Sequence, residues 1–396
     1  MAGYIFNVGN GDKGRISGLQ IIEESFNNGI FATKIKTQKN YWNSAVEGTF
    51  GDFLGMKEND NVYFFHQRKI YGIGKVRKIK TSVVHLNYPN ADIPSPTPAD
   101  VDPEVILLDQ AEFYNYPVFF CFTPDPLFFV NGIDMDEALS SNPDAFRMLR
   151  ANWSVSFIKV DDQENEALRE CLLLANKTNL KSPSPTSQAI YPYSNQKYND
   201  ILSRISDAHI FNSYTICRLC HEGTLLKHEM AIEADIGYRI ASGESHCIDI
   251  FGKWDHIAHQ VIASPFKPIS YMDKMDLFGY VYLENYPTII EKYIIIEVKK
   301  DKTGPECLEQ VMKYVDFVNN EYCHGDYSMI EAFCVAYEFS DEAKSKKDEI
   351  GKRIFSKGVR PSKTEIWDSL TLVEYEYKES LNKIIYEKID GSQLLR

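Results

Sequence analysis

The second half of the chain alternates strand-like with helix-like runs. Tyr293-Ile-Ile-Ile-Glu-Val-Lys-Lys300 opens on four apolar residues and ends in charge. Its period-2 pattern predicts a strand with Glu297 and Lys299 on one face. Upstream, Met272–Tyr282 reads as a second strand with Asp276 at its start, and a short turn, Leu283 to Thr288, closes a hairpin. Leu226–Ile236 and Cys307–Phe317 carry helical spacing. The first puts Glu229 and Glu233 four apart on one face; the second does the same for Gln310 and Tyr314. A strand over Met329–Phe339, a charged helix over Asp341–Ile354 and a strand over Thr371–Tyr377 follow.

The first part of the chain, to about residue 165, is β-rich. Strands are predicted over Tyr4–Val8, Phe31–Ile35, Asn61–His66, Lys69–Ile79 and Val118–Phe122, with a closing helix over Gln163–Asn176. The aromatic run Tyr114–Phe129 reads as core. Pro89–Pro103 holds five prolines and reads as an extended loop within this domain. Lys181-Ser-Pro-Ser-Pro-Thr-Ser-Gln188 is polar and stiff, and suits a boundary. The expected organisation is a reader domain over 1–165, a helix and linker over 166–200, and a second domain over 201–396.

An acid and an ammonium at the end of an apolar strand are costly to bury unless they are compensated. If the hairpin brings Asp276 beside Glu297, two carboxylates repel unless a cation lies between them. Mg2+, or Mn2+, suits such a site because it takes oxygen ligands and needs few protein groups. A lysine beside it can orient or activate water for phosphodiester hydrolysis.

The order of these elements resembles the PD-(D/E)XK nuclease superfamily, and within it the RecB-like and archaeal mismatch-endonuclease branches. The resemblance spans roughly residues 205 to 385. It implies an α/β nuclease domain whose mixed central sheet is flanked by helices. By position, Asp276 and Glu297 match the metal ligands, Lys299 the catalytic lysine, and Glu233 the first-helix acid, with Glu229 as its competitor. Gln310 and Tyr314 match the Gln-x-x-x-Tyr helix motif. The sequence departs from the family pattern at Met275-Asp276, where a proline-aspartate pair names the superfamily.

In the N-terminal part, Met56-Lys-Glu-Asn-Asp-Asn-Val-Tyr-Phe-Phe65 followed by Ile70-Tyr-Gly-Ile-Gly-Lys-Val76 resembles the PUA-like superfamily, including EVE and YTH domains. That implies an open β-barrel reading a nucleobase through an aromatic pocket. Tyr41 and Trp42 are then candidates to stack on a flipped base; Trp42 as plain core is the alternative. Arg68 and Lys69, at a hairpin tip, are candidates for phosphate contact, or a solvated turn. Gly72 and Gly74 suit a bent barrel strand or a close backbone approach.

Charge complicates the picture. The chain of 396 residues carries a net charge of −13. Residues 1 to 80 hold 12 Lys and Arg against 7 Asp and Glu, a net of +5, which leaves −18 for the rest. Binding to phosphates then needs local basic surface. The eight cysteines are scattered, which fits a reducing cytoplasm better than a disulfide framework. Cys217-Arg-Leu-Cys220-His221 has metal-ligand spacing but no second pair at zinc-finger distance. His256 and His259 have no supporting motif. No membrane span, signal peptide or Walker-type loop is read, so neither a membrane nor a nucleotide cofactor is expected.

The architecture resembles modification-dependent restriction enzymes and antiphage defence nucleases, including the Shedu type. It implies a cytoplasmic, metal-dependent DNA endonuclease working as a homo-oligomer, a dimer or tetramer. The alternatives are a nucleic-acid sensor with a nuclease-like scaffold, and a nuclease directed at RNA.

Overall fold

The computed structural model describes residues 1–9, 16–33, 37–38, 41–42, 51–92, 101–108, 116–149, 157–186, 188–263 and 273–389. The chain forms two compact units. The first comprises Met1–Thr49 and Met56–Asn212; the second comprises Phe50–Gly55 and Ser213–Arg396.

The first unit is a strongly curled mixed sheet, a half-barrel. Its strands run in the order Phe157–Val160, Gly3–Asn7, Asn61–His66, Lys69–Arg77, Val118–Pro124, Ile30–Thr33. Gly3–Asn7 pairs parallel with Asn61–His66, and the other neighbours are antiparallel. All five strands expected in this part of the sequence form, with ends shifted by a few residues. Phe157–Val160 and the short strands Val84–Leu86 and Ile133–Asp134 were not expected.

Curling needs close backbone approach. A Cβ at Gly74 would lie 2.6 Å from both Phe122 and Val62 side chains, so only glycine lets the strands fold over there. The concave interior is aromatic. Phe6 packs against Phe31, Phe64, Phe120 and Phe157, and Phe26 stacks on Phe128 at 4.4 Å. Each fully enclosed ring contributes roughly 1.5–3 kcal/mol, and the run Val118–Phe122 is wholly buried. The helix Asp162–Ala175 is capped by Asp161, whose carboxylate accepts the Glu164 amide at 2.8 Å.

Glu164 is enclosed in this unit and accepts the amides of Leu149 and Met148 at 2.8 and 3.2 Å. Burial, with Asp161 beside it, pushes its carboxyl from an ordinary 4.5 up to about 8. Between those values the folded chain keeps a proton that the unfolded chain has lost. Stability therefore falls as pH rises through that window and levels off above it. Thermal unfolding followed from about pH 5 to about pH 8 should show this decline. Glu164→Gln should flatten it; an unchanged slope in the variant would place the proton elsewhere.

The second unit is a six-stranded mixed sheet with helices. Its order is His256–Ile262, Lys274–Leu283, Tyr286–Thr303, Ile330–Phe339, Leu370–Lys378, Lys383–Lys388. The three central strands, beginning at Tyr286, Ile330 and Leu370, run parallel, and antiparallel strands border them. The helix Pro305–Glu321 makes the first crossover and packs on the strands it joins. Cys307 on that helix and Cys334 on the adjoining strand are disulfide-bonded. The sequence reading held that the scattered cysteines fit a reducing compartment better than a disulfide framework, and did not foresee this one bond. Spacing could not foretell the bond, because the crossover brings the two together.

Some elements differ from expectation: the turn read over Leu283 to Thr288 is shorter, because the strand after it already begins at Tyr286. The helix read from Leu226 starts at Glu229, and Leu225–Leu226 is instead a short strand. The charged helix read as Asp341–Ile354 stops at Ile350. A Cβ at Gly351 would lie 2.7 Å from the Lys347 carbonyl, and the chain turns into a two-stranded ribbon, Arg353–Lys357 with Lys363–Trp367. Among the described residues, no helix is long and apolar enough to cross a membrane.

Candidate active site

The hairpin strands set the site. Leu277 lies opposite Ile296 in the antiparallel ladder, so Asp276 and Glu297, the next residue on each strand, face one another. Glu297 is 1% exposed. Lys299, two residues on, points to the same face, and its ammonium donates to Glu297 Oε1 at 2.6 Å. Asp276 Oδ2 accepts the Val298 amide at 2.8 Å, which pins the carboxylate to the neighbouring strand.

Glu233 comes from the helix Glu229–Ala241 and is buried. Its Oε2 lies 2.6 Å from His259 Nε2. Gln260 completes the arrangement: its side-chain amide donates to Glu233 Oε2 at 3.2 Å and to Asp276 Oδ1 at 3.0 Å. Gln260 sits in the first strand of the sheet with φ at +53°. A left-handed residue inside a strand is uncommon, and such conformations cluster at functional sites.

The electrostatics follow from this packing. Burial, then the charges of Glu233 and Glu297, hold the Asp276 carboxyl well above the usual range. Burial also raises Glu297, although Lys299 pulls the other way. For Lys299, burial would lower the pKa, but Glu297 more than offsets it and the ammonium is held above its ordinary value. Lys299 is therefore a cation at neutral pH and a hydrogen-bond donor to Glu297. His259 behaves alike: burial lowers its pKa, and the Glu233 contact reverses this and raises it.

One atom is unsatisfied. Glu297 Oε2 is buried and has no hydrogen-bond partner. A buried, orphaned carboxylate oxygen is expensive, and beside a second acid it is relieved by a shared proton or by a cation. The residues present fit a small divalent cation held by Asp276 and Glu297, with water filling the remaining positions. Among the described residues no group of three or more His, Cys, Asp or Glu side chains is arranged to hold a metal.

The other sequence candidates fall as follows. Glu229 lies one turn before Glu233, and its Oε1 accepts the Lys300 amide at 3.4 Å; Glu233 is the acid bridged to Asp276. Gln310 donates to the Tyr314 hydroxyl at 3.0 Å and makes no hydrogen bond to the three acids among the described residues. Burial pushes the Tyr314 hydroxyl up to about 12, with Glu297 and Asp276 adding to the shift. His256 stacks on Tyr280 at 4.8 Å. The Cys217 thiol donates to the Ala231 carbonyl, and His221 stacks on Tyr377.

In the first unit, Tyr41–Trp42 forms a short strand paired with Thr37–Gln38; the side chains of Tyr41 and Trp42 lie outside the described residues. Gln67 and Arg68 both have positive φ and form the hairpin tip. Arg68 donates to Asp136 at 2.6 Å in an exposed ion pair. Gln260 was missed in the sequence, and His259 was noted there only as lacking a supporting motif. In the antiparallel ladder Gln260 lies opposite Asp276, between the pairs His259–Leu277 and Val261–Met275.

No family model matches the chain, and no curated protein matches it. Among solved structures it is similar to a repair endonuclease from Pyrococcus abyssi, with 20% identity over 33% of this chain and a TM-score of 0.20. The match spans 46% of that chain, less than half its length.

Proposed function

We propose that the second unit is a metal-dependent nuclease that hydrolyses phosphodiester bonds in DNA. The observation that carries this reading is the acid pair on adjacent strands: Asp276 facing Glu297, with one Glu297 oxygen orphaned and Lys299 on the other. A divalent cation bound there would neutralise phosphate charge and lower the pKa of a bound water. The chain's own groups do the rest. The Lys299 ammonium donates to a phosphate oxygen or orients the attacking water, and meets developing negative charge with a preorganised cation. Glu297 fixes that ammonium in place. Gln260 keeps Asp276 and Glu233 in register, and His259 holds the Glu233 carboxylate by a 2.6 Å contact.

The first unit, on this proposal, is a PUA-like reader whose Tyr41 and Trp42 stack on a base, a modified base included. Arg68 and Lys69 at its hairpin tip are the proposed phosphate contacts. Mg2+ or Mn2+ is the proposed cofactor, and a homo-oligomer pairs active sites for cutting both strands. Restriction or antiphage defence is the setting that such a pairing of reader and cutter suits.

The test is direct. Full-length protein is incubated with plain and modified DNA, single-stranded DNA and RNA, with Mg2+ or with EDTA. Metal-dependent cleavage of DNA is expected. Cleavage of RNA alone would redirect the substrate, and no cleavage of any of them would leave a binding protein.

A further inference from the structure

The second unit is acidic, yet one element in it is not. The ribbon of Arg353–Lys357 and Lys363–Trp367 ends in Ser356-Lys-Gly-Val-Arg-Pro-Ser-Lys-Thr364, which holds three cations and no acid. Every residue of that stretch is exposed, Val359 at 89%.

The base of the ribbon is fixed. Arg353 makes a two-pronged contact with Asp316 at 2.8 and 2.9 Å. The Trp367 indole donates to the Ile330 carbonyl at 2.8 Å, and Tyr327 packs on Phe355 and Trp367. Ile330 lies across from Tyr293, four residues before Glu297. At ~3.3 Å per residue the foot of the ribbon is about 13 Å along the strand from Glu297.

The tip is charged against its own interest. Lys357 and Lys363 sit directly opposite each other across the ladder, and like charges so placed are destabilising. Lys357 has Asp326 at 3.3 Å. The side chains of Arg360 and Lys363 have no ion pair or hydrogen bond among the described residues. We propose that this ribbon is a duplex-DNA contact, with Arg360 and Lys363 on backbone phosphates. Polyanion binding relieves the repulsion. The B-form major groove admits a two-stranded ribbon, and the serine, threonine and glycine of the tip suit close backbone approach. The inference rests on the nuclease reading for its choice of ligand, and assigns substrate grip to the unit that carries the acids.

Binding is measured on the full chain carrying Lys299→Ala, by fluorescence anisotropy with a short blunt DNA duplex over a salt series. Adding Arg360→Ala with Lys363→Ala should weaken binding and reduce the slope of log affinity against log salt by roughly 1.8, at about 0.9 per phosphate lost. Removing equal charge nearby, with Lys346→Ala and Lys352→Ala, should change the slope less. An RNA duplex of the same sequence, with its deep narrow major groove, should depend less on the tip. Unchanged affinity and slope would overturn the proposal, as would equal dependence for RNA. So would a change of mass in light scattering on Ile354→Ser, if the tip variant left DNA binding intact, since the ribbon would then join copies of the chain. With Lys299 present, tip variants should hydrolyse bis(para-nitrophenyl) phosphate at the unaltered rate. A parent chain inert toward that ester would sink the nuclease reading and leave the binding result standing.

Discussion

Replacing Lys299 with alanine should lower metal-dependent cleavage by about 100- to 1000-fold, the effect of deleting one preorganised donor from a developing charge. Two consequences follow from the geometry. Lys299 is the group that satisfies Glu297 Oε1, so its removal leaves both oxygens of a buried carboxylate without a hydrogen bond. Glu297 should then take up a proton more readily, and cation affinity should fall along with the rate. Because Lys299 is held as a cation, raising the pH should not rescue the variant. Cleavage rates, Mg2+ titrations and far-ultraviolet circular dichroism of the two proteins check this together. A folded Lys299→Ala protein that cuts at the parent rate would remove the site from these strands.

The largest loss of stability is expected at Arg239. This side chain and Asp235 are both fully buried, with a 3.1 Å ion pair between them. Arg239 also donates to the Ile384 carbonyl at 2.7 Å and to Glu244 at 3.0 Å. Asp235 accepts from Ser213 at 2.7 Å and Tyr386 at 2.9 Å. The network ties the Glu233 helix to the last strand of the sheet. Arg239→Ala strands a buried acid and should cost about 3–5 kcal/mol, a fall in melting temperature on the order of 10 °C. Arg239→Met with Asp235→Leu, which removes both charges, should lose less. Calorimetry of the three proteins decides it; a loss in Arg239→Ala no greater than in the double variant would mean the pair is not coupled.

How much of this was legible in the sequence depends on where each signal lies. Glu297 and Lys299 were readable because a strand alternates and both flank one apolar residue, Val298. Asp276 was readable because a hairpin is local. The strand His256–Ile262 was not, because most of it is buried on both faces and polar site residues break its alternation. Gln260 was lost with it. In the first unit the strands were legible, but the parallel pairing of Gly3–Asn7 with Asn61–His66 was not: it joins segments far apart, and nothing local encodes its register. The ribbon was hidden for a simpler reason. Its strands are short and charged, and they follow a helix of the same composition.

The placement of Phe50–Gly55 has a bearing on cooperativity. These residues belong to the second unit although the chain on either side of them belongs to the first. Within the second unit, Asp52 is buried and accepts the His259 amide at 3.0 Å, one residue from Gln260. The polypeptide therefore passes between the units at residues 49–50, 55–56 and 212–213. No single cut yields both in complete form, and a fragment begun after the serine-proline stretch lacks an acceptor beside the acidic site. Unfolding of the second unit must release a loop closed at both ends within the first. The two units then do not melt as independent two-state bodies, and the loop's closure entropy becomes a term that each imposes on the other.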